Sequence, residues 1–203
     1  MSRFARLCAV ALAMTVVLAG MVGLHAANRA GGQEILLEME PVDPRDLLLG
    51  HYVIIDTSLH RLDTAALAGP DTGWRRGRPV FVALEAGGDG AMHATGAFRA
   101  PPEPPFIRGR IAHVSTQFDH APAEPLEDGS PGLRRDPVEG SQRDVLRVRY
   151  NLERYYASPD QALALERMRN DGRLRLIVSL GADGNAVIKG LEIDGEARRD
   201  TLF

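Results

Sequence analysis

Charged residues vanish between Leu7 and Leu24, and beyond that run apolar and polar side chains alternate in short blocks separated by Gly and Pro. Alternation with a period of two predicts strands that bury one face. Ile35, Leu37 and Met39 alternate with Glu34, Glu38 and Glu40. Leu146, Val148, Tyr150 and Leu152 alternate with Arg147, Arg149 and Asn151, and Leu174, Leu176, Val178 and Leu180 with Arg173, Arg175, Ile177 and Ser179. The blocks 79–86 and 91–98 flank Gly87-Gly88-Asp89-Gly90, which reads as a hairpin. A second hairpin is expected where Gly181 to Asn185 leads into AVIKGLEI. The Pro-rich 101–105 is a rigid connector before a strand at about 106–118. One helix stands out: Ser158-Pro159-x-Gln161 is a capping box with Pro at the first helical position, and the pattern stops at Gly172. Another strand, at about 51–57, follows the turn-forming Pro41 to Asp46, and an irregular stretch fills the chain from there to Pro79.

About eight strands and one clear helix make the class mainly β with one helix (α+β), an antiparallel barrel or sandwich preceded by an N-terminal transmembrane helix. The expected organisation is a membrane anchor over 1–27, a linker over 28–33 and a β-rich domain over 34–203. Within that domain, 119–144 is rich in Pro, Gly and charge; it reads as a mobile loop dispensable for folding.

The eighteen uncharged residues from Leu7 to Leu24 rise roughly 27 Å as a helix, enough for a thin bilayer. Cutting at Ala26 or Ala27 puts Leu24 or His25 three residues before the scissile bond, a poor site, so the run reads as an uncleaved anchor rather than a cleaved signal. Arg3 and Arg6 favour a cytoplasmic N-terminus with the domain across the inner membrane, in the periplasm. Leu18-Ala19-Gly20 resembles a lipoprotein box, but Met21 stands where the lipidated Cys would have to be. Cys8 is the sole cysteine, which removes disulfides, thiolate catalysis and Cys-based metal sites from the domain.

Composition narrows the function further. With 44% hydrophobic and 25% charged residues and a net charge of −3, the chain has no basic field to suggest nucleic acid. Ser115 lies near His113, Asp119 and His120, but residues two apart on a strand share a face by geometry alone, and no Gly-x-Ser-x-Gly is present. Five histidines lie in the β-rich domain, His51, His60, His93, His113 and His120, without HExxH or i, i+4 pairing. Asp43, Asp46 and Asp56 read as backbone caps rather than calcium ligands. No metal or cofactor is expected. Three Arg-x-Arg pairs, Arg108/Arg110, Arg147/Arg149 and Arg173/Arg175, each point to one face of a strand; if those strands adjoin, the six line one surface that suits a polyanion, anionic lipid headgroups or an acidic partner loop, the alternative being a solvated face neutralised by cross-strand Glu and Asp.

The stretch PVDPRDLLLGHYVIID, Pro41 to Asp56, joins rigid turn chemistry to a strand. It resembles the signature of the GDYXXLXY proteins, a bacterial family whose role is not established. Gly50 and Tyr52 fit the pattern, whereas His51 stands where the family has Asp, Ile55 where it has Leu and Thr57 where it has Tyr. EILLEMEPVDPRD upstream, FIRGRI at Phe106 to Ile111 and LERYYASPDQALALE at Leu152 to Glu166 are similar to further blocks of the family. The resemblance implies a partner, a multi-span inner-membrane protein encoded beside it, and makes Asp43, Arg45, Asp46, Gly50, His51 and Tyr52 the candidate binding residues, with no catalytic residue assigned. The expected function is a non-catalytic, membrane-anchored accessory or binding protein. The alternative is an extracytoplasmic enzyme with its site near His51 and Asp56.

Overall fold

The computed structural model describes residues 3–41, 52–69, 72–118 and 143–200. The N-terminal apolar run continues as one helix, α1 (Arg3–Gly31). Its stretch from Phe4 to Gly31 is long and apolar enough to cross a membrane, and Leu7, Leu12, Val16 and Met21 are all exposed on it. The expected linker over 28–33 is therefore corrected: residues to Gly31 are helical, β1 (Gln33–Glu38) follows at once, and only Gly32 intervenes. The helix ends at the Gly31-Gly32 pair; a Cβ at Gly32 would meet Ser179 Oγ and lie 2.8 Å from Leu180 O, so only glycine lets the chain pass so close to the sheet.

The remaining strands are β2 (Tyr52–Ile54), β3 (Arg61–Asp63), β4 (Pro79–Ala86), β5 (Met92–Phe98), β6 (Phe106–Gln117), β7 (Arg143–Arg149), β8 (Arg154–Tyr156), β9 (Leu174–Leu180), β10 (Ala186–Ile193) and β11 (Glu196–Arg199); α2 (Pro159–Asn170) lies between β8 and β9. All the strand pairings are antiparallel. One sheet has the order β1-β9-β10-β11, a second β3-β7-β6-β4-β5, and β2 pairs with β8. Together they form a nearly closed, barrel-like β structure. The core takes Ile35 and Leu37 from β1, Leu176 and Val178 from β9, Val80 and Val82 from β4, Ile107 and Ile111 from β6, and Leu146 and Val148 from β7. The residues from β1, β7 and β9 are the apolar sets the alternation predicts.

Eleven strands form among the described residues where about eight are expected. The additions are β3, β8 and β11, three or four residues each, too short for alternation to register. The stretch expected to be irregular after Asp56 holds a 3₁₀ turn at Ser58–His60 and then β3. Strand β2 is shorter than the expected 51–57, and β7 begins at Arg143, inside the segment expected to be a loop; 119–142 lies outside the described residues. α2 starts at Pro159 behind Ser158, whose backbone N–H meets Gln161 Oε1 at 3.4 Å. It stops at Gly172, where φ is +70°.

Candidate functional site

The signature segment enters the described structure at Tyr52. Asp43, Arg45, Asp46, Gly50 and His51 lie outside the described residues. Tyr52, on β2, is half-buried; the Arg154 guanidinium lies 4.8 Å from its ring centroid and the Tyr156 ring meets it edge-on at 6.1 Å. A cation over an aromatic face adds to the fixing of that ring.

Below β2 the chain folds inward. Thr57 and His60 are 2% and 4% exposed, and they close the 3₁₀ turn on themselves. The Thr57 backbone N–H donates to His60 Nδ1 at 3.0 Å, and Thr57 Oγ1 lies 3.0 Å from the same nitrogen. Nδ1 is thus an acceptor, which puts the ring proton on Nε2. Nε2 has no hydrogen-bond partner and lies 3.8 Å from Glu153 Oε1. Burial lowers the His60 pKa below its ordinary value, against the opposing pull of Asp56, 3.4 Å from Nδ1, and of Glu153. Desolvation therefore outweighs both carboxylates and the ring is neutral. Tyr150 closes the cluster: its hydroxyl donates to Leu59 O at 2.9 Å and its ring meets His60 edge-on at 5.5 Å. Burial, with Glu153 nearby, pushes that phenol well above its usual range.

A hydroxyl, an imidazole and a carboxylate in sequence have the order of a nucleophilic triad. Here they are a structural cap. Thr57 and His60 are covered from solvent, and Asp56 is also paired with Arg147 at 3.5 Å. One residue that the sequence did not reveal is Arg169. It is 1% exposed, and from α2 its Nη1 donates to Ile54 O at 2.6 Å, which ties the helix to the signature strand. The signal for it was helical spacing: Ala162, Leu165 and Arg169 lie on one face of α2, and the first two pack inward.

The other site lies at the base of α1. Arg29 donates from Nη1 to Ile188 O at 2.8 Å and from Nη2 to Lys189 O at 3.0 Å and Asp200 O at 2.5 Å. Asp200 Oδ1 in turn accepts from the Tyr155 hydroxyl at 2.7 Å. Beside this chain of contacts, Tyr155, Tyr156, Leu165, Met168, Leu191 and Ile193 line a largely apolar cleft of about 310 Å³. Tyr156 is 72% exposed at its rim. Ionic contacts surround the same base: Glu34 pairs with Lys189 at 3.2 Å and with Arg199 at 2.5 Å.

Among the described residues, no group of three or more His, Cys, Asp or Glu side chains converges to hold a metal ion. Ser115 Oγ is 3.4 Å from Val145 O, and His113 is exposed. Of the three Arg-x-Arg pairs, Arg108/Arg110 and Arg147/Arg149 lie on adjoining strands, β6 and β7. Arg175 is on β9, in the other sheet, and Arg173 just precedes that strand; they pair with Glu192 and Asp194. The six guanidiniums thus do not share one surface.

The class these features define is a β-rich domain carried on one apolar N-terminal helix of membrane-spanning length. The chain matches the GDYXXLXY protein family over residues 14–191, and it belongs to that family. No curated protein and no solved structure matches it.

Proposed function

We propose that this is a non-catalytic, membrane-anchored accessory or binding protein that works against a multi-span inner-membrane protein, with its N-terminus cytoplasmic and its β domain periplasmic. The observation that carries the reading is the junction at Arg29. An exposed apolar helix held to β10 and to Asp200 by three backbone acceptors keeps the domain at the membrane surface instead of letting it swing on a tether. That fixed position sets the cleft of Tyr155, Leu165 and Met168 beside the span, where a neighbouring membrane protein's outer segment can enter it. Arg3 and Arg6 support the orientation.

The alternative enzyme near His51 and Asp56 has weaker support, because Asp56 is already engaged with Arg147 and His60. The test is affinity purification of the detergent-solubilised full-length protein from its native membrane, beside the Tyr156→Glu variant. Tyr156 is exposed, so its replacement leaves the fold intact. A multi-span protein should accompany the wild type and be lost with the variant; a protein that purifies alone in both cases contradicts the proposal.

A further inference from the structure

We propose that the cleft where the two large sheets meet is a binding site for a phosphate group. Its cationic wall is built by β6 and β7. Arg110 and Arg149 stand directly opposite one another across these strands, and Arg108 lies two residues along the same face. All three line a cleft of about 480 Å³ together with Asn151 and Asn185. Like charges directly opposed on a sheet destabilise it, and no carboxylate among the described residues pairs with any of the three arginines.

The rest of the sheets handle the same problem differently. Arg61 and Arg147 also stand opposite one another, between β3 and β7, but there Asp56 lies against Arg147. Arg143 pairs with Asp63, Arg173 with Asp194 and Arg175 with Glu192. Among the described residues, only at the cleft does an opposed arginine pair lack an internal anion. An external dianion would supply it, and the planar donor fork of Arg suits phosphate oxygens.

The wall is also held in place before any ligand arrives. Arg110 Nη1 donates to Gly77 O at 2.7 Å, and the Arg108 guanidinium lies 5.9 Å from the Phe81 ring centroid. Arg108 N–H donates to Gly184 O at 2.8 Å, which joins β6 to the β9–β10 turn and closes the far side of the cleft. Gly184 has φ +77°, and a Cβ there would come within 2.6 Å of the Phe106 ring. The nearby carboxylate, Asp183, is occupied by the backbone and side-chain amides of Asn185. The acidic connection between β6 and β7 leaves from the opposite end of these strands, at Gln117 and Arg143, roughly 23 Å along β6 from Arg110.

The phosphate has two possible sources. Ala186 is in register with Leu180, and Leu180 with Gln33 just past the end of α1. The cleft therefore opens two strands, roughly 10 Å, from the helix exit, within reach of a lipid headgroup as well as of a soluble phosphate compound.

The experiment titrates inorganic pyrophosphate by calorimetry into the full-length protein in nanodiscs, at low ionic strength. In phosphatidylcholine discs the wild type should bind, and Arg108→Gln or Arg149→Gln should each weaken binding at least tenfold. Arg61→Gln, which removes the same charge from β3, should leave it unchanged. Repeating the titration in phosphatidylglycerol discs identifies the source: competition by headgroups abolishes the signal, whereas a site for a soluble phosphate compound retains it. Absence of binding in phosphatidylcholine overturns the site. So does an equal loss in Arg61→Gln, which would mark a diffuse charge effect.

Discussion

The polar groups beneath β2 and those at the base of α1 are neutralised by opposite means. Thr57, His60 and Tyr150 are buried and make neutral hydrogen bonds, Thr57 to His60 Nδ1 and Tyr150 to Leu59 O, while His60 Nε2 is left without one. Glu34, Lys189 and Arg199 stay partly exposed and use formal charge. Burying an ion costs several kcal/mol unless its pairing is close to ideal, so the interior cluster loses its charge and the surface cluster keeps it. The first holds the signature strand against the core; the second surrounds the joint between helix and domain. Removing one partner should therefore cost much more inside than outside.

Arg169 is where the interior rule is broken, because a charged side chain lies under β2 with a carbonyl as an acceptor. Arg169→Ala should be the most damaging single change: it loses a charge-assisted bond and opens a void, for about 3 kcal/mol in urea unfolding of the full-length protein in neutral detergent. Tyr150→Phe removes only the hydroxyl but leaves Leu59 O buried without that donor, and should cost about 1–2 kcal/mol in the same assay.

Acidity separates the two regions. The His60 pKa is lowered in the folded protein, so the unfolded chain binds the proton first as pH falls. Stability rises with pH across that window. Acidification from pH 7.5 to 5.5 should weaken the fold by up to about 1.4 kcal/mol per pH unit below pH 6.5, and His60→Gln should flatten the dependence. Glu34 behaves differently. Its hydrogen bond with Arg199 leads the effects that hold its pKa down to about 2 from 4.5, so its contribution is complete above pH 4.5 and is lost between there and pH 2. The smallest effect is expected from Glu34→Gln at neutral pH, less than about 1 kcal/mol, because water screens an exposed pair. A larger loss from Glu34→Gln than from Tyr150→Phe would reverse the comparison.

Much of this fold was legible where a signal was local. The Ser158 cap, Pro159 and Gly172 bound α2 within the chain itself, and alternation identifies the buried faces of β1, β7 and β9. Short strands such as β3 and β8 were not legible, since three residues carry no period. Strand adjacency was also hidden: Arg108/Arg110 and Arg147/Arg149 look the same as Arg173/Arg175 in sequence, and only the pairing of β6 with β7 separates them. Arg169 was hidden because a basic residue near a helix C-terminus ordinarily caps the dipole in solvent, whereas here α2 turns it inward to Ile54. The candidate binding segment from Asp43 to His51 lies outside the described residues, and Tyr52 alone connects it to the structure.

The proposed role needs a helix that stays attached to the domain it holds. Intact mass of the protein extracted from its native membrane tests this directly. The expected result is a chain that retains residues 1–27, with the span from Phe4 onward still continuous with Arg29 and the sheet. A mature chain starting near Asn28 would contradict it, since Arg29 would then fasten no span to β10 and the domain would be released from the membrane.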